Sequence, residues 1–291
     1  IKLTSKVNIK FIKKISNLKL LSELKDDIGE IKLKNDQTTS SLITKKLEIK
    51  AVFCNREEIV LCGNELIKHF VRNKFPKLKF ESSHSDGDIL KKNTNFAQLT
   101  GDVRWILVLE RTLLNFIQHL SSISTLTRRY KEKLRKSKTK LLDTRKTTNG
   151  LRFLEKYATK MGGAENHRIS LQDKILIKDN HIKVLGGISQ VLKKIKQKRI
   201  REFQIECETY SEVKKCINQK CTYILLDNMP IREIKKCINF GLSYEKKITF
   251  EISGGINLKN IEKYSLLGAD YISTSKITNS AKAVDIGLDI I

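Results

Sequence analysis

The sequence predicts an α/β protein whose second half is a parallel sheet of β-α units, closed as a barrel or open and doubly wound. Three observations predict it. Six short apolar runs between residues 141 and 273 alternate with helix-like segments. Each run ends in polar, reactive residues, as barrel strands do where chemistry sits at their carboxyl ends. A helical stripe over 110–127 separates this regular half from a more mixed first 110 residues.

The stripe comes first along the chain. Leu113, Leu114, Phe116, Ile117, Leu120, Ile123 and Leu126 recur at three- and four-residue spacing, which predicts a long helix joining two halves. The apolar runs follow: Leu141-Leu142, Ile175-Leu176-Ile177, Phe203-Gln204-Ile205, Tyr223-Ile224-Leu225-Leu226, Ile248-Thr249-Phe250-Glu251-Ile252 and Tyr271-Ile272-Ser273. Helices are expected near 151–161, 183–198, 210–219, 230–239 and 257–267. No solenoid period and no low-complexity linker interrupts them.

Composition narrows the classes of function. With 291 residues, 40% hydrophobic, the chain can bury a sizeable core. No apolar run reaches the ~18 residues of a membrane helix. Lys2, Lys6, Lys10, Lys13, Lys14 and Lys19 break up the first 20 residues, so no secretory leader is expected. A start at Ile1 is read as an initiator trimmed or left out. The six cysteines, at 54, 62, 207, 216, 221 and 237, form no C-x-x-C pair and read as reduced thiols of a cytoplasmic protein.

The net charge of +25 raises the question of nucleic acid. The excess is mostly lysine, 44 Lys to 13 Arg, and is dispersed along the chain. Only 7% of residues are aromatic, too few for stacking platforms interleaved with cations. The densest stretch, 128–138, reads as a solvated helix end. An RNA-binding protein is therefore the lesser alternative, and the excess favours small anionic substrates.

The rim carries the chemistry. Leu141-Leu142 leads to Asp143-Thr144-Arg145-Lys146-Thr147, and Ile175-Leu176-Ile177 leads to Lys178-Asp179-Asn180-His181. The third run carries Glu206 and Glu208, two apart and so expected on one face. The fourth ends in Asp227-Asn228, the fifth in Ser253-Gly254-Gly255 and the sixth in Ser273-Thr274-Ser275. Cations suit carboxylate or phosphate groups, and carboxylates suit Mg²⁺ or sugar hydroxyls. Ser253-Gly254-Gly255, read as opening the 257–267 helix, offers backbone N–H groups and a positive dipole end to a phosphate. His167 and Arg168, with Arg145 and Lys146, complete a cationic pocket for a small polyanion.

These residues resemble the quinolinate phosphoribosyltransferase (nicotinate-nucleotide pyrophosphorylase) family. The likeness rests on 143–148, Asn166-His167-Arg168 and 176–181, and continues through Glu206-Cys207-Glu208, Leu226-Asp227-Asn228-Met229 and Ser253-Gly254-Gly255-Ile256. Glu110-Arg111 with Leu114-Asn115-Phe116 is similar to the family's long-helix motif; 35–39, 61–63 and 86–88 fit more weakly. The resemblance covers roughly residues 20–291.

The resemblance implies an N-terminal α/β sandwich domain and an open α/β barrel of the type II phosphoribosyltransferase kind. The expected boundaries are 1–120 and 121–280, with 281–291 packing back on the first domain. It implies that quinolinate and phosphoribosyl pyrophosphate give nicotinate mononucleotide, pyrophosphate and CO₂, with Mg²⁺, in NAD biosynthesis. It implies a homodimer with shared active sites. Arg145, Lys146, His167, Arg168 and Lys178 would line the quinolinate and phosphate pocket, and Arg111 would come from the neighbouring subunit. Glu206 and Asp227 would hold the ribose hydroxyls and the metal; Ser253, Gly254 and Ser275 would hold the 5′-phosphate. Lys146, Lys178, Glu206 and Asp227 are the expected catalytic set.

The sequence departs from the family pattern at Asn149 (usually proline), Ser122 and Ser124 (small residues), Ser275 (glycine) and Asn279 (histidine). None of these touches the carboxylates or the cations, so retained activity is expected. A paralogue with another acid substrate, such as nicotinate, is the nearest alternative. Its site would not need the extra charge of His167-Arg168. An inactive remnant is argued against by the intact motifs.

Overall fold

The computed structural model describes residues 8–244 and 247–291. Residues 1–7, which carry the start and the lysines Lys2 and Lys6 used in the leader argument, lie outside the described residues. The chain divides into two compact units, described separately.

The first unit contains 8–128, 148–163 and 280–291. It opens with α1 (Ile9–Ile28) and α2 (Gln37–Leu42), followed by β1 (Glu48–Asn55), β2 (Ile59–Val60), α3 (Asn64–Lys74), β3 (Lys79–Ser82), β4 (Ile89–Leu90) and β5 (Thr94–Asp102). The long helix α4 (Val103–Lys133) comes next. It starts earlier and ends later than the 110–127 stripe, because Ile106, Val108 and Leu109 extend the buried face and Tyr130 and Leu134 are also buried. The basic stretch 128–138 is thus only partly solvated. The unit takes in α5 (Arg152–Met161) and, at the end of the chain, β12 (Ile286–Ile290).

The main sheet has the order β12-β1-β5-β3 and every pair in it is antiparallel. Its buried face carries Ala51, Phe53, Phe80, Phe96 and Leu99, packed with Phe70 of α3 and with Leu109 and Leu113 of α4. Each of the phenylalanine and leucine side chains contributes about 1.5–3 kcal/mol on burial. A ladder of hydroxyls on α4 satisfies the two-residue β2. The Val60 N–H donates to Thr125 Oγ1 (2.8 Å), the Cys62 N–H to Ser121 Oγ (3.0 Å), and Ser124 Oγ donates to the Val60 carbonyl (2.6 Å). Ser124, a departure from the family pattern, finds a partner in β2; Ser122 bonds the His119 carbonyl of its own helix.

The second unit contains 129–147 and 164–279. Its strands are β6 (Lys140–Leu142), β7 (Leu176–Ile177), β8 (Gln204–Cys207), β9 (Tyr223–Asp227), β10 (Thr249–Ser253) and β11 (Tyr271–Ser273). Its helices are α6 (Asp179–Val184), α7 (Ile188–Gln197), α8 (Tyr210–Asn218), α9 (Ile231–Leu242), α10 (Ile261–Ser265) and α11 (Lys276–Asn279). The six strands form one parallel sheet in the order β6-β11-β10-β9-β8-β7. The end strands β6 and β7 are not paired with each other, yet residues beside both line one cavity, so the sheet curls into an open barrel.

Two expectations need correction. The 183–198 segment is two helices, α6 and α7, broken at Gly186 and Gly187, whose φ of +82° and +106° glycine alone adopts freely. The 257–267 helix is only α10. Asn257 and Asn260 both bond the Gly255 carbonyl, and Asn260 accepts from the Asn257 N–H, a local turn that competes with helix. By contacts the chain divides after Arg128, and residues 148–163, with α5, group with the first unit. α5 buries Leu154, Tyr157 and Ala158 against Ile12, Leu66, Leu120 and Ile123 there, so its apolar stripe decides its unit rather than its place in the sequence.

Candidate active site

Strand alternation builds the site. On parallel strands every second residue points inward. Glu206 lies one residue before the end of β8, Asp227 ends β9 and Ser253 ends β10, and all three line a cavity of about 490 Å³. Arg145, Lys146, His167, Arg168, Lys178, Gly254 and Ser275 also line it. Of the expected site residues only Arg111 is not among the lining residues; it is exposed on α4. Glu208 does not share the face of Glu206. It lies beyond the end of β8, where the pleat no longer holds, and it is exposed.

The cations are held in place from below. Asp143, fully buried after β6, accepts from Asn166 Nδ2 (2.7 Å) and from the His167 backbone N–H (2.8 Å). Those bonds fix the 166–168 loop. Arg168 Nη1 donates to the Lys174 carbonyl (3.1 Å). Burial, and then the nearby Arg145 charge, lower the Arg168 pKa. Two guanidinium groups lining one cavity disfavour each other's charge and favour an anion that bonds both. Arg145 Nε is buried and has no hydrogen-bond partner among the described residues. The Lys146 carbonyl accepts from Thr278 Oγ1 (2.8 Å), which anchors that loop.

The carboxylates stand on neighbouring strands. Lys178 Nζ lies 3.1 Å from Glu206 Oε2. Burial raises the Glu206 pKa; Asp227 adds to the rise, and Lys178 opposes it. Asp227 Oδ2 accepts from Asn228 Nδ2 (2.7 Å). Two carboxylates with a lysine do not make a closed metal cage, and no cluster of three or more His, Cys, Asp or Glu that could hold a metal is found among the described residues.

The Ser253-Gly254-Gly255 turn is shaped by close approach. A Cβ on Gly254 would lie 2.2 Å from Asn228 Oδ1, and the residue has φ +86°. Asn228 N–H donates to the Ser253 carbonyl (3.0 Å), tying the turn to the end of β9. Because α10 begins only at Ile261, the turn's own N–H groups, not a helix dipole, are what it offers an anion. Ser275 is not among the residues of positive φ, so its backbone there does not require the glycine usual in the family. Asn279 and Asn149 are exposed and do not line the cavity.

Sequence reading overlooks one group. Glu251 lies two residues before Ser253, one pleat deeper, and is 1% exposed. Gln204 Nε2 donates to it (2.8 Å), as does Tyr223 Oη, and His167 Nε2 lies 3.4 Å away. Burial alone would raise its pKa, but the His167 charge and bonds from His167, Ser273 and Tyr223 pull it down to about 2. The signal in the sequence is a glutamate inside an otherwise apolar run, at the inward parity of that strand.

An open parallel barrel with cations, two rim carboxylates and a glycine turn in one cavity has the chemistry of a site for anionic, phosphate-bearing ligands. Comparison with known proteins then sets the family. The chain matches the family model for the quinolinate phosphoribosyl transferase C-terminal domain over residues 123–289 and that for the N-terminal domain over 36–121. The chain belongs to the quinolinate phosphoribosyltransferase family. A protein of Methanocaldococcus jannaschii named a probable nicotinate-nucleotide pyrophosphorylase (carboxylating) is 34% identical over 283 residues, 94% of this chain and 97% of that one. The solved nicotinate-nucleotide pyrophosphorylase of Ehrlichia chaffeensis is 36% identical with a TM-score of 0.87, covering 99% of this chain and 100% of that one. The one from Francisella tularensis is 33% identical with a TM-score of 0.87, covering 96% and 97%.

Proposed function

We propose that Arg145, Lys146, His167, Arg168 and Lys178 bind quinolinate and phosphate groups while Glu206, Asp227, Ser253, Gly254 and Ser275 bind phosphoribosyl pyrophosphate, all in the one cavity. The reaction is that of the family. The chain is a quinolinate phosphoribosyltransferase (decarboxylating) of NAD biosynthesis, converting quinolinate and phosphoribosyl pyrophosphate to nicotinate mononucleotide, pyrophosphate and CO₂. The observation that carries the residue roles is that Arg145 and the buried Arg168, which is anchored at 3.1 Å to the Lys174 carbonyl, line one cavity with two rim carboxylates.

The chemistry follows from charge. The bond from ribose C1′ to the pyrophosphate oxygen breaks, the electron pair leaves with pyrophosphate, and the quinolinate nitrogen bonds to C1′. Positive charge builds at C1′ on the way, and Glu206 and Asp227 stabilise it. The C2 carboxylate then leaves as CO₂; its electron pair stays on the ring beside the new pyridinium nitrogen, and C2 takes up a proton. The cations neutralise a dianion that must leave water to enter. Two rim carboxylates suit a Mg²⁺ that arrives on the pyrophosphate, where it would neutralise the leaving group's charge. Lys178 and Lys146 bind the same oxygens.

The proposal extends to assembly and compartment. A homodimer contributes Arg111 of each subunit to the other's site; the exposed position of Arg111 on α4, outside the lining of the cavity, supports this. The six cysteines are free thiols, which supports a cytoplasmic protein. No described helix is long and apolar enough to cross a membrane. The experiment is CO₂ release from labelled quinolinate, with and without phosphoribosyl pyrophosphate, followed by mixing Arg111→Ala with Lys178→Ala protein. Hybrid dimers have one site with both residues intact and regain activity. Failure to complement despite proven subunit exchange would show each site to be built from one chain.

A further inference from the structure

The layer one pleat below the rim joins three strands and a loop through one carboxylate. Gln204 on β8, Tyr223 on β9, Glu251 on β10 and Ser273 on β11 all converge there, with His167 entering from the 164–168 loop. The His167 ring nitrogen Nε2 lies 3.2 Å from Gln204 Oε1 and 3.4 Å from Glu251 Oε2. Both of those oxygens are acceptors, so Nε2 carries a hydrogen and that edge of the ring is turned inward. Gln204 is bridged the other way, donating its amide to Glu251 at 2.8 Å, so its orientation is set too.

A site built for a dianion has a difficulty before the substrate binds. Its cations repel one another, as Arg145 and Arg168 do. A mobile ring among them would turn away. Glu251 opposes this from deep in the lining of the same cavity, one pleat below Ser253. It is 1% exposed, it is fixed by donors from β8, β9 and β11, and Lys174 Nζ is a further buried cation within its field. Tyr271, which neighbours it on β11, and Tyr223 also feel its charge.

We propose that Glu251 is a positioning residue for the transferase reaction, acting through Gln204 to hold the His167 ring against the cavity wall for quinolinate. The inference rests on the reading of His167 as a quinolinate-binding residue. Second-layer partners of this kind fix tautomer and direction of a histidine at a site, and their loss is felt through the histidine alone.

A double-mutant cycle tests it, read as KM for quinolinate, KM for phosphoribosyl pyrophosphate and kcat. Glu251→Gln keeps the shape and removes the charge. It is expected to raise KM for quinolinate roughly tenfold. KM for phosphoribosyl pyrophosphate should stay within about twofold, which a loosened barrel would not allow. His167→Ala is expected to raise KM for quinolinate by at least as much, and the double variant should be no worse than His167→Ala alone. Additive effects, or an equal rise in both KM values, would overturn the inference. Where Glu251→Gln does not yield folded protein, Gln204→Leu carries the same test. It removes the amide that links ring and carboxylate, and leaves the direct 3.4 Å His167–Glu251 approach and the Tyr223 and Ser273 bonds in place. Turnover of quinolinate by the unaltered enzyme separates the two readings. An active enzyme with an additive cycle overturns only the role of Glu251, and an enzyme inert towards quinolinate overturns both.

Discussion

The hydroxyl ladder on α4 and the cation cluster in the barrel are both dense in polar atoms, and they are opposite in kind. Ser121, Ser124 and Thr125 meet the backbone of Val60 and Cys62 at 2.6–3.0 Å, each group satisfied by its neighbour. Arg145 and Arg168 are like charges lining one cavity, and Arg145 Nε is buried with no partner among the described residues. The ladder is a folding device, since an unmatched backbone group there would cost about 1–3 kcal/mol. The cluster is a binding device, because its donors are left to be completed by an anion. Polar groups that answer one another hold a fold together; polar groups that repel one another and line a cavity mark a site.

That contrast can be broken by substitution. Asp227→Asn should have the largest effect on function. The fold and quinolinate binding stay nearly intact, while kcat falls by about 10²–10³ as stabilisation of charge at C1′ is lost. A lowered Tm with normal kcat would assign Asp227 to the structural side of the comparison. Arg145→Ala is expected to cost about 2–4 kcal/mol of transition-state binding, read as kcat/KM for quinolinate. Its Tm should hold or rise, since a repulsion with Arg168 is removed; a clear fall in Tm would place Arg145 with the ladder instead. Thr125→Val is the mirror case and the smallest. It strands the Val60 N–H at a cost of about 1–3 kcal/mol, so Tm drops by several degrees while kcat/KM is unchanged. A normal Tm would show that β2 does not depend on the helix.

The two regions were not equally legible in the sequence. The rim was, because apolar runs followed by Arg, Lys, Asp and Gly announce both a strand and what stands at its end. All the expected residues except Arg111 line the cavity. The ladder was not. Serine and threonine on a helix interior read as neutral substitutions, and their partners in β2 are about 60 residues away, at separations of 59 to 65. Glu251 sits between: its charge is visible in the run 248–252, but its depth depends on which face of β10 turns inward. The helix expected over 257–267 was misjudged for a local reason. Asn257 and Asn260 spend their side chains on the Gly255 carbonyl, and helix periodicity does not register that competition.

The pairing of β12 with β1 has a consequence for how the chain is made. Asp285 N–H donates to Glu57 Oε1 (3.0 Å) across 228 residues, and from there β12 runs along β1 from Asn55 to Ala51. Synthesis is vectorial, so β1 leaves the ribosome long before the strand that covers its edge. The whole barrel must be translated in the interval, during which one side of the first sheet is an unpaired edge of the sort that recruits other chains. The last strand therefore acts as a seal. A ribosome stalled late, before residue 286, would release a barrel that is complete in its own strands and a sheet that is still adhesive.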